Sequence, residues 1–121
     1  MKGSCLCGSI TFDVTAQPEG YAVCHCTQCR KQSGHVWASA HVPDDALKLS
    51  GPVHWYQSSD KARRGFCPTC GAFLFWKHSD DDHISFSLGS LDGPTGVALA
   101  KHIFTAEKGD YYDITDGLPQ S

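Results

Sequence analysis

A chain of 121 residues has room for one hydrophobic core of ordinary size and not for two, so the expected organisation is a single domain over residues 1–121, its core at about 3–116 and followed by a short C-terminal tail. Ten basic against thirteen acidic side chains give a formal charge of −3, so no basic field gathers phosphate backbones and nucleic acid is not an expected partner. No apolar run approaches the ~18 residues that span a bilayer, and residues 1–5 lack the apolar region of a secretory signal; no membrane is expected as a partner, and the expected location is the cytoplasm.

Most of the expected elements are strands. Residues 9–14 alternate, with Ile10, Phe12 and Val14 on one face and Ser9, Thr11 and Asp13 on the other, the period of a half-buried strand. Residues 27–33 suit a short helix ended by Gly34. A run of apolar and β-branched residues at 36–42 reads as a strand. It is followed by a helical turn at 43–47, where Pro43 precedes two acids. Residues 53–57 and 72–76 give two more short strands, and 83–88 alternates again through Ile84, Phe86 and Leu88. Between them, the acidic residues 79–82 read as a solvated loop tip, because the spaced oxygen ligands of a calcium loop are missing. Residues 116–121 read as a tail. The sum is a mainly β fold of small antiparallel sheets.

Seven cysteines make up about 6% of the chain, below the ~8–10% of a short disulfide scaffold. Their odd number and the absence of an export signal point to reduced thiols, and clustered reduced thiols usually hold metal. Two of the three clusters, Cys5-Leu6-Cys7-Gly8 and Cys67-Pro68-Thr69-Cys70-Gly71, end in a glycine. Glycine there takes the positive φ that turns backbone N–H groups toward a bound sulfur. Together Cys5, Cys7, Cys67 and Cys70 offer four sulfurs to one tetrahedral ion, which is a closed and therefore structural zinc site. Such a site staples the first strand to the middle of the chain.

The middle cluster holds Cys24, Cys26 and Cys29, with no further cysteine to complete it. Three protein ligands and one exchangeable position are the stoichiometry of catalytic zinc, which ionises a bound water or thiol at neutral pH. Arg30 and Lys31 follow Cys29, where the other clusters have glycine. Three thiolates on a divalent ion leave a charge of −1, and an incoming thiolate makes it −2, so these cations are candidates to stabilise the loaded site; a solvated basic pair is the plain alternative. The expected complement is two zinc ions per chain. Any of seven histidines could instead close the middle site, with His35 the first candidate because it follows the metal loop. His25, between two of the ligands, is expected to turn its ring away from the ion.

Five segments carry a family resemblance: Gly3-x-Cys5-x-Cys7-Gly8-x-Ile10, Cys24-His25-Cys26-x-x-Cys29-Arg30-Lys31-x-Ser33-Gly34, Phe66-Cys67-Pro68-x-Cys70-Gly71, Gly89-x-Leu91-Asp92, and Asp116-Gly117-Leu118-Pro119-Gln120. In these the chain resembles the glutathione-dependent formaldehyde-activating enzymes, also called the centromere protein V family. The resemblance implies the fold of small β-sheets shared with the zinc-binding chaperones of Rab-type GTPases. It also implies a structural zinc on Cys5, Cys7, Cys67 and Cys70 and a catalytic-type zinc on Cys24, Cys26 and Cys29. The implied activity is that of a carbon-sulfur lyase, which joins a small-molecule thiol such as glutathione to a small aldehyde such as formaldehyde. Arg30, Lys31 and His35 are the candidate substrate contacts, and Trp37 stands where small residues are common in the family. The competing reading is a non-catalytic zinc module of the same fold that binds a protein partner. The open middle cluster separates the two, since a binding module has no use for an under-coordinated ion.

Overall fold

The computed structural model describes all 121 residues. A three-stranded sheet pairs β1 (Lys2–Ser4) with β2 (Thr11–Val14) and β2 with β5 (Leu47–Ser50), both antiparallel. Alternation drives Phe12 and Val14 inward, each 3% exposed, and Ile10 just before the strand is fully buried.

The larger sheet has seven strands. Its centre is β4 (Trp37–Pro43), flanked by β3 (Glu19–Cys24) and β9 (His83–Ser87). It continues outward through β8 (Phe73–His78), β7 (Ala62–Phe66) and β6 (His54–Gln57), and β10 (Lys101–Ile103) lies on the far side of β3. All of these pairs are antiparallel except β10 with β3, which is parallel. The fold is thus mainly β, as expected, with mixed rather than purely antiparallel pairing. Its core lies where the two sheets meet: Phe12 contacts Phe75 edge-on with centroids 5.2 Å apart and Phe86 at 6.0 Å, backed by Val42, Leu74 and Ile84.

A single α-helix, α1 (Thr27–Ser33), follows β3 and ends at Gly34, which takes the left-handed conformation. The turn expected after Pro43 is a 3-10 turn, Asp44–Ala46.

Five strands escape the sequence reading: β1, β3, β5, β7 and β10. β1 and β10 are three residues long and too short to show a period. β7 carries Arg63 and Arg64 in mid-strand, so it looks polar although Arg64 is buried. Residues 116–121, read from the sequence as a tail, are tied to the edge of the larger sheet. His102 N–H donates to the Pro119 carbonyl (2.8 Å) and Ser121 N–H donates back to the His102 carbonyl (3.0 Å), so the last residues dock along β10. Those backbone groups find partners on an open strand edge, which hydropathy does not register.

Candidate metal centres and the adjoining pocket

All seven cysteines are free, and their sulfurs form the two groups expected. Within each group the sulfurs lie within 4.8 Å of one another. Cys5 and Cys7 come from the turn after β1, and Cys67 and Cys70 from the turn between β7 and β8. Gly8 and Gly71 close these turns at φ of 82° and 78°, where a side chain would be strained. Ile10 N–H donates to Cys5 Sγ (3.3 Å) and Cys70 N–H to Cys67 Sγ (3.4 Å). The sulfurs of Cys5 and Cys7 are 3.6 Å apart, and those of Cys7 and Cys67 3.7 Å. A tetrahedron with arms of ~2.3 Å has edges of about 3.8 Å, so the spacing fits an ion bound by four thiolates.

Ser9 is the contact that motif reading misses. Its hydroxyl lies 3.2 Å from Cys7 Sγ and 3.3 Å from Cys67 Sγ. The Ser9 hydrogen bond, with the Cys70 N–H next, brings the Cys67 thiol down to about 5. At Cys5, burial opposes ionisation but is outweighed by the Ile10 N–H and Ser9, and the net shift is downward. Both shifts favour the form that binds metal.

The second group forms where a strand runs into a helix. Cys24 is the last residue of β3, Cys26 is the N-cap of α1, and Cys29 lies in its first turn. Cys26 Sγ accepts the Cys29 N–H at 3.3 Å, a sulfur in the role usually taken by a serine or aspartate oxygen. No histidine, aspartate or glutamate joins this group. The hydrogen bond with Cys24 is the main reason why Cys29 ionises early, at about 6; burial opposes it and Arg64 assists. The same bond and burial push Cys24 upward, so one thiolate forms ahead of the other.

The cation at this cluster comes from β7. Arg64 is 5% exposed, and its Nη1 donates to Cys29 Sγ at 3.5 Å while Nε donates to Gln28 Oε1 at 3.2 Å. Arg30, Lys31 and His35 stand elsewhere. Lys31 lines a neighbouring polar groove that shares Gln28 and Arg64 with the cluster pocket. His35 is exposed, and its Nδ1 meets the Tyr111 hydroxyl at 2.9 Å. Arg30 is half-buried with its Nε unpaired, outside the pocket lining.

His25 turns away from the sulfurs, as expected, because both of its ring nitrogens are engaged. Nδ1 meets the Tyr112 hydroxyl and Nε2 meets His102 Nδ1 at 2.8 Å. His102 Nε2 in turn bonds Asp116 Oδ2 at 2.8 Å. One consistent direction of donation runs from Tyr112 through His25 and His102 to Asp116. Burial, with His102 next, holds the His25 ring below the usual imidazole range. From the other side of the loop, Glu107 Oε1 accepts from the Thr27 N–H and hydroxyl, each at 3.1 Å.

The three sulfurs open onto a pocket of about 400 Å³ whose lining is largely apolar, with Trp37, Trp76, Ala62 and Phe104 among its walls. Trp37 stacks on Phe73 with ring centroids 4.4 Å apart.

These features define a small β-protein with one closed four-sulfur cluster and one open three-sulfur cluster, both fit to hold metal. Residues 1–107 match the family model described as glutathione-dependent formaldehyde-activating enzyme. An uncharacterized lyase of Schizosaccharomyces pombe is 25% identical over 122 aligned residues, covering 95% of this chain and 85% of that protein. A Halomonas elongata protein provisionally named a glutathione-dependent formaldehyde-activating enzyme is 31% identical over 85 residues, 62% of this chain and 54% of its own length. The crystal structure of a Rhodobacter sphaeroides protein superposes with a TM-score of 0.63 at 26% identity, over 79% of this chain and 92% of that one. The chain belongs to the glutathione-dependent formaldehyde-activating enzyme family.

Proposed function

We propose that the protein is a zinc-dependent carbon-sulfur lyase that reversibly adds a thiol, glutathione or a similar molecule, to a small aldehyde such as formaldehyde. The observation that carries this reading is the three-sulfur cluster with no fourth protein ligand, facing a pocket of about 400 Å³. Cys24, Cys26 and Cys29 would hold one zinc, and Cys5, Cys7, Cys67 and Cys70 a second, structural one. An ion held on the three-sulfur cluster would supply the positive charge that keeps an incoming thiol ionised near neutral pH.

The chain's own residues do the remainder. Arg64 offsets the negative charge that accumulates when a further thiolate joins three others, and its burial strengthens that effect. The pocket walls would hold the aldehyde carbon near the sulfur, which raises the rate by proximity. Of the three side chains first considered for substrate contact, Lys31 is the one positioned to meet the far end of an extended thiol, in the polar groove beyond Arg64. Arg30 and His35 line neither that groove nor the cluster pocket. A module that only bound a protein partner would have no need of an open cluster at the floor of a pocket.

The test combines cobalt substitution with an adduct assay. A thiol added to the cobalt protein should change its ligand-field spectrum, and the protein should accelerate hemithioacetal formation from glutathione and formaldehyde, an activity lost in Cys26→Ser. An unchanged spectrum at saturating thiol, with no acceleration by the parent protein, overturns the proposal.

A further inference from the structure

We infer that Trp76 selects the aldehyde: beside the sulfur cluster it offers an open, flat wall to an uncharged substituent as large as a phenyl ring. This rests on the lyase reading above and enlarges its aldehyde well beyond one carbon.

Strand register fixes where Trp76 points. Ala40, Phe86 and Phe75 pair across β4, β9 and β8, and all three enter the core. Their neighbours along the strands, Ser39, Ser85 and Trp76, therefore project from the opposite face. Trp76 pairs directly with Ser85 on one side and with Arg64 of β7 on the other. Cross-strand partners share a face, so the indole stands on the same side of the sheet as the guanidinium that reaches Cys29. It packs against the group formed by Cys24, Cys29 and Trp37 and lines the pocket onto which the sulfurs open.

The two tryptophans of this face differ in what covers them. Trp37 is buried and stacked on Phe73, whereas Trp76 is only half-buried, and its ring neighbour is His78, tilted with centroids 6.1 Å apart. The face of an antiparallel sheet away from the core ordinarily carries polar side chains, as Ser39 and Ser85 do here. Both serines are short, which leaves room beside the indole. Phe104, 56% exposed, borders the same pocket from the turn after β10. That turn is tied to the cluster loop at both ends, where His25 N–H donates to the Ile103 carbonyl (3.0 Å) and Thr27 N–H to Glu107 Oε1 (3.1 Å). Phe104 is the one non-glycine residue with positive φ, at 55°, a conformation that glycine would adopt without strain. Two aromatic side chains thus keep open surface at one pocket, and neither is needed there to fill the core.

Size and charge define the occupant. Formaldehyde is little larger than a water molecule, whose share of the liquid is ~30 Å³, whereas the pocket holds about 400 Å³. The polar ends of a thiol such as glutathione have the adjoining groove with Lys31, so only its sulfur arm takes up apolar space. Arg64 and Glu107 are the charged groups of the lining, and both are engaged, Arg64 with Gln28, Gln32 and Cys29, and Glu107 with Thr27. A carboxylate or ammonium on the aldehyde would lose its hydration there without a free partner, whereas a ring gains from burial against aromatic surface. The addition itself is unchanged by the substituent. The thiolate sulfur bonds to the carbonyl carbon, the π pair moves to oxygen, and water returns to that oxygen the proton that the thiol released.

The experiment uses the metal-loaded protein with glutathione and two aldehydes of like carbonyl reactivity, propanal and its phenyl-substituted homologue hydrocinnamaldehyde, each rate being taken above the reaction in buffer. kcat/KM for hydrocinnamaldehyde should exceed that for propanal about 10-fold or more, the discrimination that an apolar pocket provides. In Trp76→Ala the ratio should fall to within about threefold of unity. Trp76→Leu, which keeps an apolar side chain on the sheet, should also lower it and serves if alanine loosens the fold. An independent readout needs no turnover: in the parent protein the Trp76 indole cross-peak of a proton-nitrogen spectrum should move with hydrocinnamyl alcohol and not with propanol at the same concentration. A parent ratio near unity, a ratio that survives both substitutions, or a cross-peak unmoved by hydrocinnamyl alcohol overturns the assignment. If formaldehyde addition is accelerated while the parent ratio is near unity, the assignment alone fails and the lyase reading stands; if no aldehyde is added faster than in buffer, both fail.

Discussion

Arg64 Nη1 lies 3.5 Å from Cys29 Sγ although the two residues are 35 positions apart in the chain. Arg30 and Lys31, the sequence neighbours of that cysteine, lie outside the pocket lined by its sulfur. Helix geometry explains the difference. Cys29 faces the sheet from the first turn of α1, and the next two residues rotate away from that face, Lys31 into solvent. The cation at the cluster must therefore come from the strand opposite.

Replacing Arg64 by Gln should raise the titration midpoint of Cys29 in the metal-free protein. The thiol sits at about 6, below the ordinary value of 9.0, with the Cys24 hydrogen bond as the leading cause and Arg64 a lesser one. The expected rise is therefore a fraction of the whole shift, about one unit. Because the folded-state value is depressed, Cys29 contributes stability that is fully present above about 9 and is lost as pH falls through about 6. Arg64→Gln should raise the lower edge of that window. Ultraviolet absorbance of the thiolate against pH measures the midpoint, and an unmoved curve would remove Arg64 from the account.

Cys67→Ser should unfold the protein or lower its thermal midpoint sharply, whereas Cys26→Ser should leave it folded. Cys67 is fully buried and links the β7–β8 turn to the turn after β1, closing a loop of about 60 residues. The middle cluster closes only a local loop, and serine at position 26 is a good N-cap for α1. Circular dichroism melting of the two variants decides the matter. Equal destabilisation would make the three-sulfur cluster structural as well.

Graded chelation should release metal in two steps. Three thiolates hold an ion less firmly than four, and the open position admits a competing ligand. The first equivalent should leave while the far-ultraviolet spectrum is unchanged, and the second should leave together with the fold. Release of all metal in one step that coincides with unfolding would erase the distinction between the sites.

Asp116→Ala should loosen the docked C-terminal residues, and Asp116→Asn should largely retain them. The carboxylate is held below its usual range by the Leu118 N–H and then by His102, and asparagine keeps an oxygen for both donors. The sign follows from that depression: the contribution is present above the ordinary carboxylate range and is lost as pH falls through the lowered value. Amide hydrogen exchange at Leu118 and Ser121 reads the effect. Equal protection in the alanine variant would show that the backbone bonds to His102 suffice.

The cysteine pattern alone determined which sulfurs meet. Four cysteines in two glycine-ended turns and three more at a strand end and helix cap are constraints written locally, since short spacings leave a metal loop few conformations. Ile10, Phe12, Val14, Ile84 and Phe86 were legible as inward-facing for the same reason, because alternation is a local property. What surrounds the open cluster was decided only by the tertiary structure. Arg64 reads as part of a polar strand until β7 is seen beside α1. Trp37 reads as one more apolar residue until its strand register sets it across from Cys24. The last residues read as a tail until β10 is seen to offer them an open edge and His102 a ring to bind. In each case the partner lies far off in the chain, and burial together with hydrogen-bond satisfaction, neither of which has a period in sequence, selected the pairing.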